Sequence, residues 1–574
     1  MRLLTKYLKA PRLRTRESFV RYIEKWLVVS SVLGLLTGFV VALFDYVTNL
    51  KLWTYFSALL SENPYLIIPL STTAFIVSGY LLTKSSNHLG SGTEEMIKAY
   101  NRPEEKIDER SFPKKMVAAV LTIGLGGSAG QEGPSVYAGG VIGSWIWGRL
   151  RRVGLTSDDR RILILAGAAA GIGAVFKAPL TGIIFALEVP FKDDLAHDAL
   201  VPSLLSAVVS YLTLVGIDGS EPLFRFPGIA SLGFVDIGAS AVLGLICGVA
   251  ALVFIAVYRN VSRAVSRLSG KFYYRALVGA AVVSVIGIVS VLMFHHPYPL
   301  GISYDLVQLA QTSGISPVAL SSLFVMKMLA TSFTLGSTGV GGIFIPQIVM
   351  GASLGGLFGE VFSPSRVDLF VAVGMASFLA AGYKTPLAAV AFVAETTFGP
   401  SYLIPSLVAA AVAYAVSGEA SVSEYQKLRA EIDITQIAHL PAKDVMTEKV
   451  IAVPAEISVL DFIEEYLFQY RLRTFPVVDK DGLVGMISVN EISGIPQEKR
   501  YETKVIDVCS KDVHSAYPDT PVQQVLDIMH GAAVPRVPIV DRSKPKRIVG
   551  IVSETDILSA LEKERLSTRT IRNS

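Results

Sequence analysis

Cysteine and tryptophan are nearly missing from this chain. It has 2 cysteines and 4 tryptophans in 574 residues. Cys247 and Cys509 stand far apart without ligand-type neighbours, so neither a disulfide framework nor a metal site is expected. Charge is scarce as well. Only 17% of residues are charged against 51% hydrophobic, with a mean hydropathy of +0.50, a balance too apolar for an ordinary soluble protein of this size. The net charge of +4 is small and spread out, which gives no reason to expect nucleic acid as a partner. There is no nucleophile set beside a base and no glycine-rich nucleotide loop, so no enzyme is expected. The apolar region also lacks the clustered carboxylates that a magnesium transporter would need for a hard cation.

What charge there is lies mostly at the ends. Nearly half of it falls beyond Gly418, which places a boundary there between a lipid-embedded region and a polar tail. At the other end, Arg2, Lys6, Lys9, Arg12, Arg14, Arg16, Arg21 and Lys25 precede an apolar run over 26–47 with no small-residue cleavage site. This pattern predicts a cytoplasmic basic arm over 1–25 and a first membrane helix. Further spans are expected over 65–82, 235–258 and 276–294. Basic clusters at Arg149–Arg161 and Arg259–Arg275 mark cytoplasmic loops by the positive-inside tendency.

Between the clean spans, glycine and proline interrupt the apolar segments, as in GLGGSAGQEGPSVYAGG and STGVGGIFIPQIVMGASLGG. Broken backbone at membrane depth is tolerated only where protein or a water-filled route satisfies its N–H and C=O groups. The breaks also repeat. Lys177, Pro179, Phe185 and Glu188 recur as Lys384, Pro386, Phe392 and Glu395, and Gly130, Pro134, Gly139 and Gly143 recur as Gly342, Pro346, Gly351 and Gly355. Two halves interrupted at corresponding positions predict a repeat-built transporter whose substrate site lies at the repeat interface. The bland alternative, small residues serving tight helix packing alone, does not require this shared order. Glu132 stands out among the breaks. A carboxylate flanked by Gly130, Gly133 and Pro134 in an apolar stretch is a functional residue by default. The competing reading is a structural ion pair with Lys177 or Lys384.

The run Gly90, Ser91, Gly92, Thr93 resembles the first anion-pathway motif of the CLC chloride channel and exchanger family. Gly130, Gln131, Glu132, Gly133, Pro134 resembles the second, and Gly342, Ile343, Phe344, Ile345, Pro346 the third. The resemblance implies a homodimer in the cell membrane with both termini cytoplasmic. It also implies inverted-topology halves over about 26–215 and 235–417, and one anion pathway per subunit for chloride and related anions. It makes Glu132 a protonatable gate whose oxygens compete with the anion. It makes Ser91 a hydroxyl donor to a central chloride, with the amides of Ile343 and Phe344 donating from the other half. Helix N-termini suit this task, because about half an elementary charge of macrodipole holds an anion without the grip of a buried lysine. A non-transporting anion sensor is the distant alternative.

The chain departs from the family pattern in places. Thr93 and Glu94 stand where isoleucine and proline are usual, and Gln131 replaces a basic residue. Ser423 stands where a tyrosine often completes the central site, with Tyr425 the other candidate. Val189 occupies the position of the inner proton-transfer glutamate of many exchangers, directly after Glu188. Valine there is the pattern of the family's channels, so passive flux is expected, with proton-coupled exchange through Glu188 or water as the alternative.

The polar tail has its own repeat after a linker over 418–440. TFPVVDKDGLVGMISVNEI resembles RVPIVDRSKPKRIVGIVSETDI, and both copies, over 441–495 and 503–565 with a short tail over 566–574, resemble CBS domains. The resemblance implies an adenine nucleotide held by Ser553 and Asp556, with Glu491 at the matching place in the first copy. A purely structural dimerising pair is the other reading. No cofactor is required for transport itself. Because the linker continues the last membrane helix, rotation of the pair is expected to act on the inner end of the anion path.

Overall fold

The computed structural model describes residues 16–85, 92–102, 105–153, 155–227, 232–268, 272–397, 399–428, 437–470, 472, 474–532, 534–557 and 559–560. Its contacts divide into a unit over Met1–Ala430 and another over Glu431–Ser574. Gly90 and Ser91 lie outside the described residues.

The first unit is helical. Its principal helices are α1 (Arg16–Asp45), which runs on through Glu62, α2 (Ile67–Thr83), α3 (Gly92–Asn101), α4 (Phe112–Gly124), α5 (Glu132–Leu150), α6 (Ser157–Val175), α7 (Pro179–Glu188) and α8 (Leu200–Asp218). They continue as α9 (Phe234–Ser266), α10 (Phe272–Phe294), α11 (Tyr304–Gln311), α12 (Pro317–Leu335), α13 (Phe344–Phe362), α14 (Val367–Tyr383), α15 (Pro386–Thr396) and α16 (Leu403–Val416). Among the described residues, 8 helical stretches are long and apolar enough to cross a membrane, including Glu24–Glu62, Pro64–Thr83, Phe234–Ser266 and Phe272–Phe294, over the four segments read from hydropathy. Three apolar helices, α7, α15 and α16, are too short to be counted with them. They account for the broken pattern in the sequence.

The repeat is visible helix by helix, with α5 to α8 answering α13 to α16. Both α5 and α13 have 19 residues. Each packs against its successor through glycine. A Cβ on Gly139 would run into the backbone of Gly167, and one on Gly351 into that of Gly374. Small residues at these matched points let the backbones close up, which is how membrane helices gain packing contact. Both α7 and α15 begin with proline, a residue preorganised for the first helical position. The residues that precede them by two, Lys177 (φ 52°) and Lys384 (φ 61°), adopt the same left-handed conformation, so the two halves turn into their short helices alike. Gly130 and Gly342, matched in the repeat, meet antiparallel, with reciprocal N–H···O bonds of 2.9 and 2.7 Å. Equivalent residues bonded this way lie on a local two-fold.

Among the described residues the second unit holds two sheets, one of three strands and one of two. β1 (Val453–Pro454) runs parallel to β2 (Thr474–Asp479), which pairs antiparallel with β3 (Gly482–Ser488) ahead of α17 (Val489–Ser493). After α18 (Val522–Gly531), β4 (Arg536–Val540) pairs antiparallel with β5 (Ile548–Ser553). Each sheet has its own apolar core, Val453, Phe462, Phe475 and Val477 in one and Val522, Val525, Val537 and Val552 in the other.

Candidate anion pathway

The two-fold contact at Gly130 and Gly342 brings the start of α5 against the start of α13. Glu132 opens α5, is fully buried, and turns its Oε1 to the Phe344 N–H at 2.5 Å, the first residue of α13. A helix N-terminus favours an anion, and here a carboxylate oxygen is held on it. The matched glycines make room for this: a Cβ on either Gly130 or Gly342 would overlap the Glu132 carboxylate. The other oxygen, Oε2, and both polar atoms of the Gln131 amide are buried without a hydrogen-bond partner among the described residues.

The lysines that offered Glu132 an ion pair are engaged elsewhere. Lys177 pairs with Asp218 at 2.8 Å, and Lys384 donates to Ser417 Oγ at 2.6 Å and to the Tyr414 carbonyl. A different lysine, missed in the sequence, lies within electrostatic reach of Glu132: Lys327 of α12, fully buried and bonded to Ser303 Oγ at 2.6 Å and to the Pro299 and Gly301 carbonyls. Its isolation inside an apolar helix was the available signal. Gln131 sits beside Asp45, with Asp218 and Lys177 near that carboxylate, so the surroundings of Gln131 carry both signs of charge.

Phe344 packs against Phe176, Phe185 and Phe392 with ring centroids 5.1 to 5.2 Å apart, and Phe185 meets Tyr383 at 5.7 Å. Gly92 and Gly133 touch: a Cβ on Gly92 would strike the Gly133 carbonyl. The segment Ser421–Gln426 is latched to the end of α14. The Val422 amide donates to the Gly382 carbonyl at 2.9 Å, and Gln426 Nε2 reaches the carbonyls of Tyr383 at 2.9 Å and Val189 at 3.0 Å. Ser423 is buried, whereas the half-buried Tyr425 ring lies against Lys98 and Arg102, 5.5 and 5.7 Å from its centroid.

Val189 is fully buried. Glu188 accepts from the Leu387 and Ala388 amides at 3.1 and 2.8 Å, capping α15. Its repeat mate Glu395 does the same to α7, accepting from the Leu180 and Thr181 amides at 2.9 and 2.6 Å and from Thr181 Oγ1 at 2.7 Å. The repeat had shown that these glutamates correspond, without showing that each closes the other's helix.

In the second unit, Ser553 and Asp556 form a local cap. Asp556 Oδ2 accepts from the Ser553 amide and hydroxyl at 2.8 and 2.5 Å, and Oδ1 from Thr447 at 2.9 Å. Glu491 makes the same cap on Ser488 at 2.7 and 2.5 Å. A cleft of about 580 Å³ is lined by Ser488, Glu491, Asp512, His514, Pro535 and Arg536 among others. Glu491 therefore lines this cleft, while Ser553 and Asp556 do not.

These features agree with what the chain resembles. The family model "Voltage gated chloride channel" matches residues 73–418, and the CBS domain model matches 442–496 and 505–563. An uncharacterized protein of Methanocaldococcus jannaschii is 27% identical over 409 residues, covering 71% of this chain and 97% of that one. The H(+)/Cl(-) exchange transporter ClcA of Salmonella newport is 26% identical over 424 residues, covering 69% and 87%. Among solved structures, a slow cyanobacterial Cl-/H+ antiporter superposes with a TM-score of 0.62 at 25% identity, covering 68% of this chain and 94% of that one. A eukaryotic CLC transporter at 19% identity has the same fold, with a TM-score of 0.59 over 93% and 98% of the two chains. The chain belongs to the voltage-gated chloride channel family, a family of membrane transporters, and carries a C-terminal pair of CBS domains.

Proposed function

We propose that this protein exchanges chloride for protons across the membrane through the pathway bounded by Glu132, Phe344 and Ser423. The observation that carries the reading is the Glu132 carboxylate held on the first amide of α13. An anion-binding helix terminus occupied by a titratable anion links chloride entry to protonation. Protonated, Glu132 loses its claim on the amide and chloride takes its place. The similar ClcA exchangers and the cyanobacterial antiporter support this over passive flux. Val189 supports the second reading, a passive channel, since its side chain cannot pass a proton. Purified protein in liposomes separates the two. An outward chloride gradient should drive uphill proton uptake at a fixed ratio to chloride, and chloride flux without proton movement would reverse the choice.

Burial of Ser423, against the placement of Tyr425 beside Lys98 and Arg102, favours Ser423 as the lining residue of the central site. Ser91 is its counterpart from the first half by resemblance. The homodimer, the cell-membrane location and the cytoplasmic termini are part of the same proposal and rest on the family.

We also propose that the CBS pair binds an adenine nucleotide in the cleft beside Glu491 and Arg536, where the guanidinium can meet a phosphate. Titration of the protein with ATP, ADP and AMP at millimolar concentration should release heat. Arg536→Ala should abolish that heat. Asp556→Ala should lower stability by about 1 kcal/mol through the lost cap while leaving binding in place. Heat from none of the nucleotides would leave the pair a dimerisation device.

A further inference from the structure

Exchange requires a proton to reach Glu132 from the inner side of the membrane, and the two residues the sequence offers for this are poorly placed. Val189 cannot titrate. Both oxygens of Glu188 already accept from the Leu387 and Ala388 amides. The first motif, however, contains a carboxylate that is foreign to it: Glu94, in the first turn of α3. Glu94 is partly buried and accepts from the Glu424 amide at 3.3 Å, within the segment that holds Ser423.

Several observations place Glu94 at the inner end of the path. The Ser421 carbonyl of the same segment accepts from Arg259 at 2.7 Å. Arg259 opens the basic run Arg259, Arg263, Arg267 at the end of α9, the mark of a cytoplasmic end. Glu424, next to Glu94, is exposed, so water reaches this point. In the other direction, Tyr383 at the end of α14 is fully buried and lies within electrostatic reach of both Glu94 and Glu132, with Thr93 beside it. The Thr93 hydroxyl is buried without a hydrogen-bond partner among the described residues.

Glu94 is faced by Glu424 and Tyr425 from this segment, by Tyr258 from α9 and by Tyr383 from α14. On its own helix, Glu95 is paired with Lys115, and Lys98 with Glu105 at 2.7 Å. Among the described residues of this group Glu94 therefore has no cation of its own. A first-turn glutamate can serve merely to complement the helix dipole. That role would leave proton coupling untouched.

Building on the exchange reading, we propose that Glu94 is the inner proton-transfer residue of this transporter, loading from solvent beside Glu424 and passing the proton toward Glu132 by way of the Thr93 and Tyr383 hydroxyls. A carboxylate oxygen of Glu94 takes one proton from inner-side water. That proton leaves to the hydroxyl and water chain, where each oxygen accepts one proton as it releases another, and one O–H bond forms on Glu132. Atoms and charge balance at every step, and Val189 takes no part.

The test is chloride-driven proton uptake by the full-length protein in liposomes, with chloride flux measured in parallel. Wild type should take up protons, and without that uptake the exchange reading itself fails, whatever Glu94 does. Given wild-type coupling, Glu94→Gln should keep its chloride flux while proton uptake per chloride falls at least about tenfold. Val189→Glu in the Glu94→Gln background should restore uptake by returning a carboxylate to the inner path. A wild-type ratio in Glu94→Gln overturns the assignment and leaves exchange standing. If that variant does not fold, Tyr383→Phe carries the same test, and an unchanged ratio there overturns the relay.

Discussion

Chloride flux through Glu132→Ala should be independent of pH and should drive no proton uptake. In the wild type, the carboxylate occupies the Phe344 amide at 2.5 Å and so stands where an anion would bind. Lowering the pH protonates it, releases the amide and raises chloride flux. Removing the side chain fixes the site in the released condition, so the variant should run at the wild-type low-pH rate at every pH. Gly342→Ala provides an independent approach from the other half, because its Cβ would overlap the Glu132 carboxylate and push it off the amide. It should lower chloride flux at every pH without changing the titratable group, because the added methyl fills the place that the carboxylate or chloride would take. The measurement is chloride efflux from liposomes across a pH series. A wild-type profile in Glu132→Ala would falsify the gate.

Glu395→Ala should destabilise the membrane unit severely. Glu395 receives the Leu180 and Thr181 amides and the Thr181 hydroxyl, all at the start of α7. Within the hydrocarbon no bulk water replaces such bonds, and each orphaned amide there costs several kcal/mol. Glu188→Ala should do the same at the start of α15, where the Leu387 and Ala388 amides lose their acceptor. Replacement by glutamine should be milder in both, since a neutral carbonyl can still accept. Thermal unfolding in detergent followed by size-exclusion chromatography would register this as a large fall in midpoint for each alanine variant. An unchanged midpoint would show that solvent or lipid headgroups satisfy these helix ends.

Much of this architecture is legible in the sequence because it is written twice. Matched glycines, prolines and lysines mark the same backbone events in each half, and Gly139, Gly351, Lys177 and Lys384 show them directly. Glu132 is legible for a simpler reason: a carboxylate among apolar residues needs a partner. Pattern alone does not identify that partner, since the Phe344 amide lies 212 residues away in the chain and backbone donors carry no sequence signature; only the resemblance put that amide and the Glu132 oxygens at one anion site. The same limit hid the caps made by Glu188 and Glu395. In the tail it hid the local bonds of the phosphate-like motif, whose Ser553 and Asp556 bond to each other and to Thr447. Tyr383 escaped notice because its repeat mate is Phe176, an ordinary packing residue.

The exchanged carboxylates also set an order of events at the ribosome. The acceptor for the start of α7 is 215 residues further along the chain, and α15 is closed by a residue 200 positions earlier. When the first half leaves the ribosome, α7 must wait with bare amides until most of the second half has been made, while α15 finds its cap already in the membrane. The halves are therefore not independent folding units despite their likeness. A chain arrested between them should remain a client of the insertion and quality-control machinery rather than a smaller stable protein.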